Sequence, residues 1–479
     1  MRQVLFIIGM LLLVLAGAML LPAAADWTVD HPDWEAFMIS AGITAFAGGA
    51  LVLANRTPTV TLDRRQSFLL TALSWIIICA FAALPLIFSE YRLPWADAYF
   101  EAMSGLTTTG STVLIHLDSA PPGILLWRGI LQFLGGIGIV VMAIALLPFL
   151  RVGGMQLFKT ESSDVSEKLL PQIKQIAAGI FIAYVILNVL CAGAFWAAGM
   201  TGFEATVHAM AAVSTGGFST SDDSIGHFKN PAIEWVAALF MFLGSLPFIL
   251  YMRMAMGHMG ALWRDPQVRM IAVLVLGASF AVAAWLVQYR EIPPADAFRL
   301  GVFHVVSIVT TTGFVATDYM AWGAFPIAAF FFLTFVGGCT GSTAGGIKIF
   351  RFDVLMIAIR VHAWRLIAPH SIRPAYYGER KLTNELFTSV LLFMGAYVGT
   401  VAVAALLLAG FGLDLVTALS GAATAVGNVG PGLGNIIGPA GTFTVLPGEA
   451  KWVLSAAMLL GRLELFTVLV LLSRAFWRG

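Results

Sequence analysis

The chain has 479 residues, 59% of them apolar and 11% charged, with a mean hydropathy of +0.88. Soluble domains are about a quarter charged, so these few charges cannot coat a globule of this size, and the composition describes a polytopic membrane protein. A net charge of +1 argues against a nucleic-acid partner, which needs clustered Lys and Arg, and the three cysteines, Cys79, Cys191 and Cys339, form neither a CxxC pair nor a disulfide framework.

Apolar runs of about 20 residues, the length that crosses a hydrocarbon core, follow one another along the chain. They are Val4–Leu21, Ala36–Ala54, Ser67–Phe88, Ile124–Leu150, Ile176–Met200, Ile233–Tyr251, Met270–Val287, an unusual segment around Phe325–Val361, Leu386–Leu413 and Trp452–Leu472. The first run, with "PAAADW" after it, also has the form of a cleaved leader, but it is long for one and reads better as a retained helix. Lys and Arg set the orientation. One set of loops carries Arg56, Arg64, Arg65, Arg151, Lys159, Lys168, Lys174, Arg253, Arg264, Arg269, Arg360, Arg365, Arg373, Arg380, Lys381, Arg474 and Arg478. The opposite loops carry Asp26, Asp30, Asp33, Glu35, Asp118, Asp222, Asp223, Asp318 and Glu449. Both termini are therefore expected in the cytoplasm.

After two N-terminal helices within residues 1–66, the chain repeats a unit of apolar span, short amphipathic stretch, Thr/Gly kink and apolar span. The units occupy 67–150, 175–258, 268–362 and 384–479, and their kinks read "SGLTTTGST", "VSTGGFSTSD", "VTTTGFVATD" and "AVGNVGPGLG". The amphipathic stretches begin alike: Asp97 lies 13 residues before Gly110, and Glu204 lies 13 before Gly217. A stretch this short does not span a bilayer; it fits a half-helix that dips in and returns, with its backbone buried or lining water. The predicted fold is all-α: two helices plus four helix–pore loop–helix repeats around a central pore.

Half-helices entering from the outside aim their partly negative C-terminal ends at the membrane middle, which favours a cation where four converge. Glycine lets carbonyls turn inward, and carbonyl rings that replace a hydration shell are how cation filters work. No carboxylate occurs in "TTTGS", "STGGF", "TTTGF" or "GNVGP", which suits a monovalent ion better than Ca²⁺ or Mg²⁺. One such motif alone is ordinarily a turn or a packing patch; four in register on one face make a pore. The third unit has a second anomaly. "FPIAAFFFLTFV" runs about a dozen residues before "GGCTGSTAGGIK", so its second span reads as a broken helix, a mark of ion paths in transporters. The GGIKI ending is not a phosphate-binding P-loop.

"TTTGS", "STGGFST", "TTTGF", "NVGPGLG", "GGCTGSTAGGIK" and "GRLELFT" together resemble the Trk/Ktr/HKT superfamily of potassium transporters over essentially the whole chain, most closely its TrkH-type membrane subunits. The resemblance implies a K⁺ filter with one central glycine per repeat, here Thr108, Thr109 and Gly110; Thr215, Gly216 and Gly217; Thr311, Thr312 and Gly313; and Asn428, Val429 and Gly430. It implies an intramembrane gate, Gly337, Gly338, Cys339, Thr340, Gly341, Ser342, Thr343, Ala344, Gly345 and Gly346, with Lys348 as a tether, and a pore arginine at Arg462. It further implies K⁺ as the transported ion without an organic cofactor, a homodimer in the bacterial inner membrane, and a cytoplasmic nucleotide-binding regulatory subunit of the TrkA type.

Arg128 is expected to pair with an acid such as Glu101. Glu464 cannot face Arg462 at i to i+2 of a helix, and His208 and His304 read as hydrogen-bonded packing residues rather than proton relays. Broken helices leave open a secondary transporter for another solute; no catalytic constellation supports an enzyme. Because a serine at the first filter glycine goes with sodium preference in plant relatives, Gly110→Ser is expected to raise Na⁺ permeation relative to K⁺ in flux assays, and an unchanged ratio would refute that.

Overall fold

The computed structural model describes residues 1–56, 62–146, 169–368, 375–378 and 380–478. Arg151, Lys159, Lys168 and Arg373, placed above on the basic side, lie outside them, as does the end of the Ile124–Leu150 run. Helices α1 (Arg2–Thr28) and α2 (Asp33–Ala54) come first. Val4, Ile8, Leu12, Leu15 and Met19 recur at helical spacing and are buried on one face of α1, which packs on α2.

The first unit runs through α3 (Arg64–Ala82), α4 (Leu84–Phe88), the short α5 (Trp95–Leu106) and α6 (Pro122–Leu146). The second runs through α7 (Leu169–Ala197), the short α8 (Gly202–Val213), α9 (Pro231–Gly244) and α10 (Phe248–Ala255), and the one-turn α11 (Ala261–Arg264) follows. The third has α12 (Pro266–Arg290), α13 (Pro294–Val309), α14 (Ala324–Leu333) and α15 (Ile349–Ile367). The fourth has α16 (Asn384–Gly410), α17 (Leu415–Gly427), α18 (Gly434–Ile437), α19 (Gly448–Arg462), α20 (Phe466–Leu472) and α21 (Arg474–Arg478). Between the last two units lies a minimal antiparallel pair, β1 (Tyr376–Tyr377) and β2 (Arg380–Lys381), the one strand pair among the described residues.

Seven of these helices are long and apolar enough to cross a membrane, and nine if each bent pair counts as one span, among the described residues. Within the described residues, each of the ten apolar runs falls on a helix or a pair of helices. The sequence reading expected one broken span, and that break stands: α14 and α15 are separated by residues 334–348. Two more were read as continuous and are not. The run Ile233–Tyr251 bends by 90° between α9 and α10, and Trp452–Leu472 by 115° between α19 and α20. Pro247 follows the first bend and lacks the N–H that would continue the helix. At the second, Glu464 and Leu465 both take positive φ, 58° and 44°. Polar groups freed by these breaks reappear in the site below.

Charged pairs hold the units together. Arg128 of α6 and Glu101 of α5 form the expected pair at 2.9 Å, both almost wholly buried. Glu101 also accepts from the Val113 N–H at 2.8 Å, Arg128 donates to the Ser219 carbonyl at 2.7 Å, and its guanidinium lies 4.1 Å from the Phe218 ring centre. The pair thus binds the first kinked segment to the second. Asp97 pairs with Lys451 of α19 at 2.8 Å, and Glu234 of α9 with Arg299 of α13 at 2.6 Å. Removing one partner of a buried pair leaves an uncompensated charge. Arg128→Met should therefore destabilise the protein by about 3 kcal/mol, read as a lower melting temperature in detergent. Adding Glu101→Gln, which removes the charge but keeps an acceptor for Val113, should restore most of the loss; a single variant that melts like the parent would contradict this role.

Candidate functional site

The four short helices start in different ways. α8 carries a capping box, with Glu204 N–H to Thr201 Oγ1 at 3.3 Å and Thr201 N–H to Glu204 Oε2 at 2.9 Å. Asp414 caps α17 through the Val416 and Thr417 N–H groups, both at 3.1 Å. Pro94 precedes α5, and Pro294 opens α13. Asp97 and Glu204, equally spaced in sequence, therefore do different work: one anchors Lys451, the other caps its own helix.

Their ends are alike. In each, a residue just past the helix takes a left-handed conformation: Thr108 (φ 51°), Thr215 (54°) and Thr311 (59°) two past, and Asn428 (54°) one past. Each closes the same pair of backbone bonds: Thr108 to Gly105 and Thr109 to Ser104, Thr215 to Ala212 and Gly216 to Ala211, Thr311 to Ile308 and Thr312 to Ser307, Asn428 to Ala425 and Val429 to Thr424, all between 2.8 and 3.2 Å. This double bond is the Schellman ending, which normally places Gly or Asn at the left-handed position. A β-branched threonine there is an outlier that the surroundings must hold in place. Two residues on, the chain turns left-handed again at Gly110 (87°), Gly217 (76°), Gly313 (82°) and Gly430 (111°). The twelve predicted filter residues are these four triads.

The triads close on one another. A Cβ on Gly110 would come closer than 3.0 Å to the Gly216 carbonyl oxygen, on Gly217 to that of Thr312, on Gly313 to that of Val429, and on Gly430 to that of Thr109. First meets second, second third, third fourth and fourth first: the loops form a closed ring whose seams admit no side chain. Ser111 Oγ donates to the Gly430 carbonyl at 2.8 Å across the last seam. Gln132 of α6 clamps the second loop, donating to the Gly216 carbonyl at 2.5 Å and accepting from Phe218 N–H at 3.1 Å. Sequence reading missed Gln132, whose polar side chain in the apolar run "WRGILQFLGG" was the available signal. A serine at Gly110 would therefore have to displace a neighbouring carbonyl, so its effect on selectivity would come through a distorted ring. His208 and His304 brace the loops, with Nε2 2.9 Å from Ser219 Oγ and 3.2 Å from the Thr317 carbonyl, as packing residues should. On one face the ring opens into a cavity of about 340 Å³ whose walls include the four glycines, Asp222 and Asp223.

On the other face lies the predicted gate segment, held at every turn. Gly337 and Gly346 form an antiparallel bridge. The Gly338 carbonyl accepts from Ile349 N–H at 3.1 Å, Cys339 N–H donates to the Ser245 carbonyl at 2.9 Å, and Thr340 N–H donates to Gln267 Oε1 at 2.8 Å. The Gly341 carbonyl accepts from Phe248 N–H at 3.0 Å, and Ser342 Oγ donates to the Cys339 carbonyl at 2.6 Å. Thr343 Oγ1 lies 3.0 Å from the Val213 and Gly244 carbonyls, and Gly346 N–H donates to the Gly427 carbonyl at 2.9 Å. Lys348 Nζ donates to the Ala344 carbonyl. The segment thus takes up carbonyls that the α9/α10 break leaves free.

Arg462, at the end of α19, is buried here and bonds no carboxylate among the described residues: it donates to the Thr343 carbonyl at 2.8 Å and the Gly135 carbonyl at 3.3 Å. Glu464 turns away at the bend and pairs with Arg351 of α15. Arg351 also donates to the Ile347 carbonyl at 2.9 Å and stacks 3.7 Å from the Phe393 ring centre. Its position in "KIFRFDVL", an apolar setting three residues after Lys348, went unread in the sequence. Among the described residues no group of three His, Cys, Asp or Glu side chains is placed to hold a metal ion.

A family profile described as TrkH, a cation transport protein, matches residues 34–478. The Trk system potassium uptake protein TrkI of Halomonas elongata is 47% identical over 99% of this chain and 96% of its own length. TrkH of Escherichia coli K12, another Trk system potassium uptake protein, is 36% identical over 100% and 99%. The crystal structure of the potassium transporter TrkH from Vibrio parahaemolyticus superposes with a TM-score of 0.92 at 35% identity, over 100% of this chain and 99% of that one. The chain belongs to the TrkH family of cation transport proteins.

Proposed function

We propose that this chain takes up potassium across the bacterial inner membrane through the ring of four loops, with K⁺ and Rb⁺ favoured over Na⁺. The observation that carries this reading is the closure of Gly110, Gly217, Gly313 and Gly430, each with its neighbour's backbone, into one ring between a cavity and a plugged face. Four helix C-termini end at that ring, so their aligned peptide dipoles favour a cation there. Neutral carbonyl and hydroxyl oxygens replace hydration without the tight hold of carboxylates. With one glycine per unit and unequal triads, the selectivity is less stringent than that of a dedicated K⁺ channel. Asp222 and Asp223 on the cavity wall concentrate cations at the mouth.

The segment 337–346 is the gate in this reading. It blocks the face opposite the cavity, and its small residues let it repack elsewhere. Arg462 adds a barrier: a fixed charge about 10 Å from the ion at an effective dielectric of 20 raises its energy by roughly 1.7 kcal/mol. The basic loops and both termini face the cytoplasm. Regulation comes from outside this chain, because the longest loop on that side, about residues 361–383, is too short for a domain of about 100 residues; the family resemblance supports a nucleotide-binding regulatory subunit there, acting on a homodimer. A potential of about −100 mV supplies roughly 2.3 kcal/mol per charge.

The test is flux of K⁺, Rb⁺ and Na⁺ into proteoliposomes of the purified chain. Flux that follows the gradient with K⁺ and Rb⁺ ahead of Na⁺ supports the reading; coupled movement of another solute, with no downhill K⁺ flux at any voltage, overturns it in favour of a secondary transporter. Arg462→Ala removes both the barrier and a bond that holds Thr343, so it should raise K⁺ flux roughly tenfold. Lower or unchanged flux in protein of normal melting temperature would contradict the role given to Arg462.

A further inference from the structure

The four left-handed residues at the plugged face carry side-chain oxygens in equivalent positions: Thr108, Thr215, Thr311 and Asn428. One of them is taken by the gate segment: Gly345 N–H donates to Thr311 Oγ1 at 2.7 Å. Thr215 Oγ1 donates instead, to the Ser214 carbonyl at 2.7 Å with Thr343 Oγ1 at 3.3 Å, and keeps its lone pairs. The other two, Thr108 Oγ1 and Asn428 Oδ1, are buried and have no hydrogen-bond partner among the described residues. Asn428 is turned so that its Nδ2 donates to Thr109 Oγ1 and to the Met458 carbonyl, both at 3.0 Å, which leaves the oxygen as its unused atom. A buried polar oxygen without a donor is costly, and two at equivalent positions of one ring point to a shared ligand. A monovalent cation fits that place, because the Asn428 amide oxygen has no proton to give and a hydroxyl can turn its proton away.

We infer that these four side-chain oxygens form an innermost cation layer of the ring, and that the gate segment competes with the ion for one of its four ligands. With the segment seated, Thr311 Oγ1 accepts from Gly345, so the layer offers a monovalent cation three of its oxygens. With the segment withdrawn, all four are available. The gate is then more than a plug: seating it and filling this layer oppose each other. Binding linkage is reciprocal, so a cation that fills the layer favours withdrawal of the segment. This inference rests on the potassium reading above and adds to it a regulation of the gate by the transported ion.

The experiment reads the segment directly. In a chain with Cys79, Cys191 and Cys339 replaced by alanine, Ser342→Cys puts a single buried thiol in the segment, and its maleimide labelling rate is measured in detergent with K⁺ or with N-methyl-D-glucamine. K⁺ and Rb⁺ should each accelerate labelling by about fivefold or more, the lower end of ordinary coupling between two sites. Thr311→Ser keeps the hydroxyl and should keep the acceleration. Thr311→Val removes it and should label fast in both solutions. Equal labelling with and without K⁺ in the chain that retains Thr311, or slower labelling in K⁺, overturns the inference, and because it uses no variant of the layer it does not depend on the valine protein folding. Rb⁺ flux of the same preparation separates the two levels. Flux without K⁺-dependent labelling removes the competition and leaves the filter; absence of K⁺-selective flux removes the filter reading beneath it.

Discussion

Backbone polar groups inside a bilayer have no water to turn to, so a helix can stop at membrane depth only where something else in the protein completes its hydrogen bonds. The four pore loops and three broken spans are solutions to that one constraint. Each short helix closes its own end with two backbone bonds, which forces a left-handed residue even where it is threonine. The α9/α10 break leaves the Gly244 and Ser245 carbonyls open, and the segment between α14 and α15 brings Thr343 and Cys339 to them. The α19/α20 break turns Glu464 toward Arg351 and lets Arg462 reach Thr343. The broken spans are completed by one another's residues, so the gate segment and the bent helices depend on one another.

Charge is distributed by the same logic. The acids near the pore helices, Asp97, Glu101 and Glu234, each meet a cation at a seam between elements and serve the scaffold. Below the ring, Lys348, Arg351 and Arg462 gather with Glu464 as their nearby carboxylate; Arg462 spends its hydrogen bonds on carbonyls and keeps its charge unneutralised. In the proposed potassium reading, a positive group beneath a ring that attracts cations sets a barrier in series with a well, an arrangement that passes ions while limiting their rate.

Much of this was legible in the sequence because it is periodic. Ten apolar runs, four Thr/Gly kinks and the Gly-rich interruption after "FPIAAFFFLTFV" mark the elements, and Arg128 and Glu101 met as their positions suggested. The bends at 245–247 and 463–465 were not legible by composition. Leu246, Leu463 and Leu465 keep the runs apolar through both breaks, and the second contains no proline. Pro247 was a visible signal, but a proline near a span's end ordinarily reads as its boundary. The ring closure was also beyond reach: a glycine's freedom can be guessed, whereas the neighbour that forbids its Cβ is known only once all four units are folded. Arg351 and Gln132 escaped because each is one polar residue in a run, and their partners, Glu464 and Gly216, lie far away in sequence.

The central claim is that the four loops enclose one cation site. The most direct measurement is anomalous diffraction from crystals grown with Rb⁺ in place of K⁺. The account predicts anomalous density inside the ring bounded by Gly110, Gly217, Gly313 and Gly430. Ordered loops at high resolution with Rb⁺ density elsewhere, or with none in the ring at saturating Rb⁺, would contradict it.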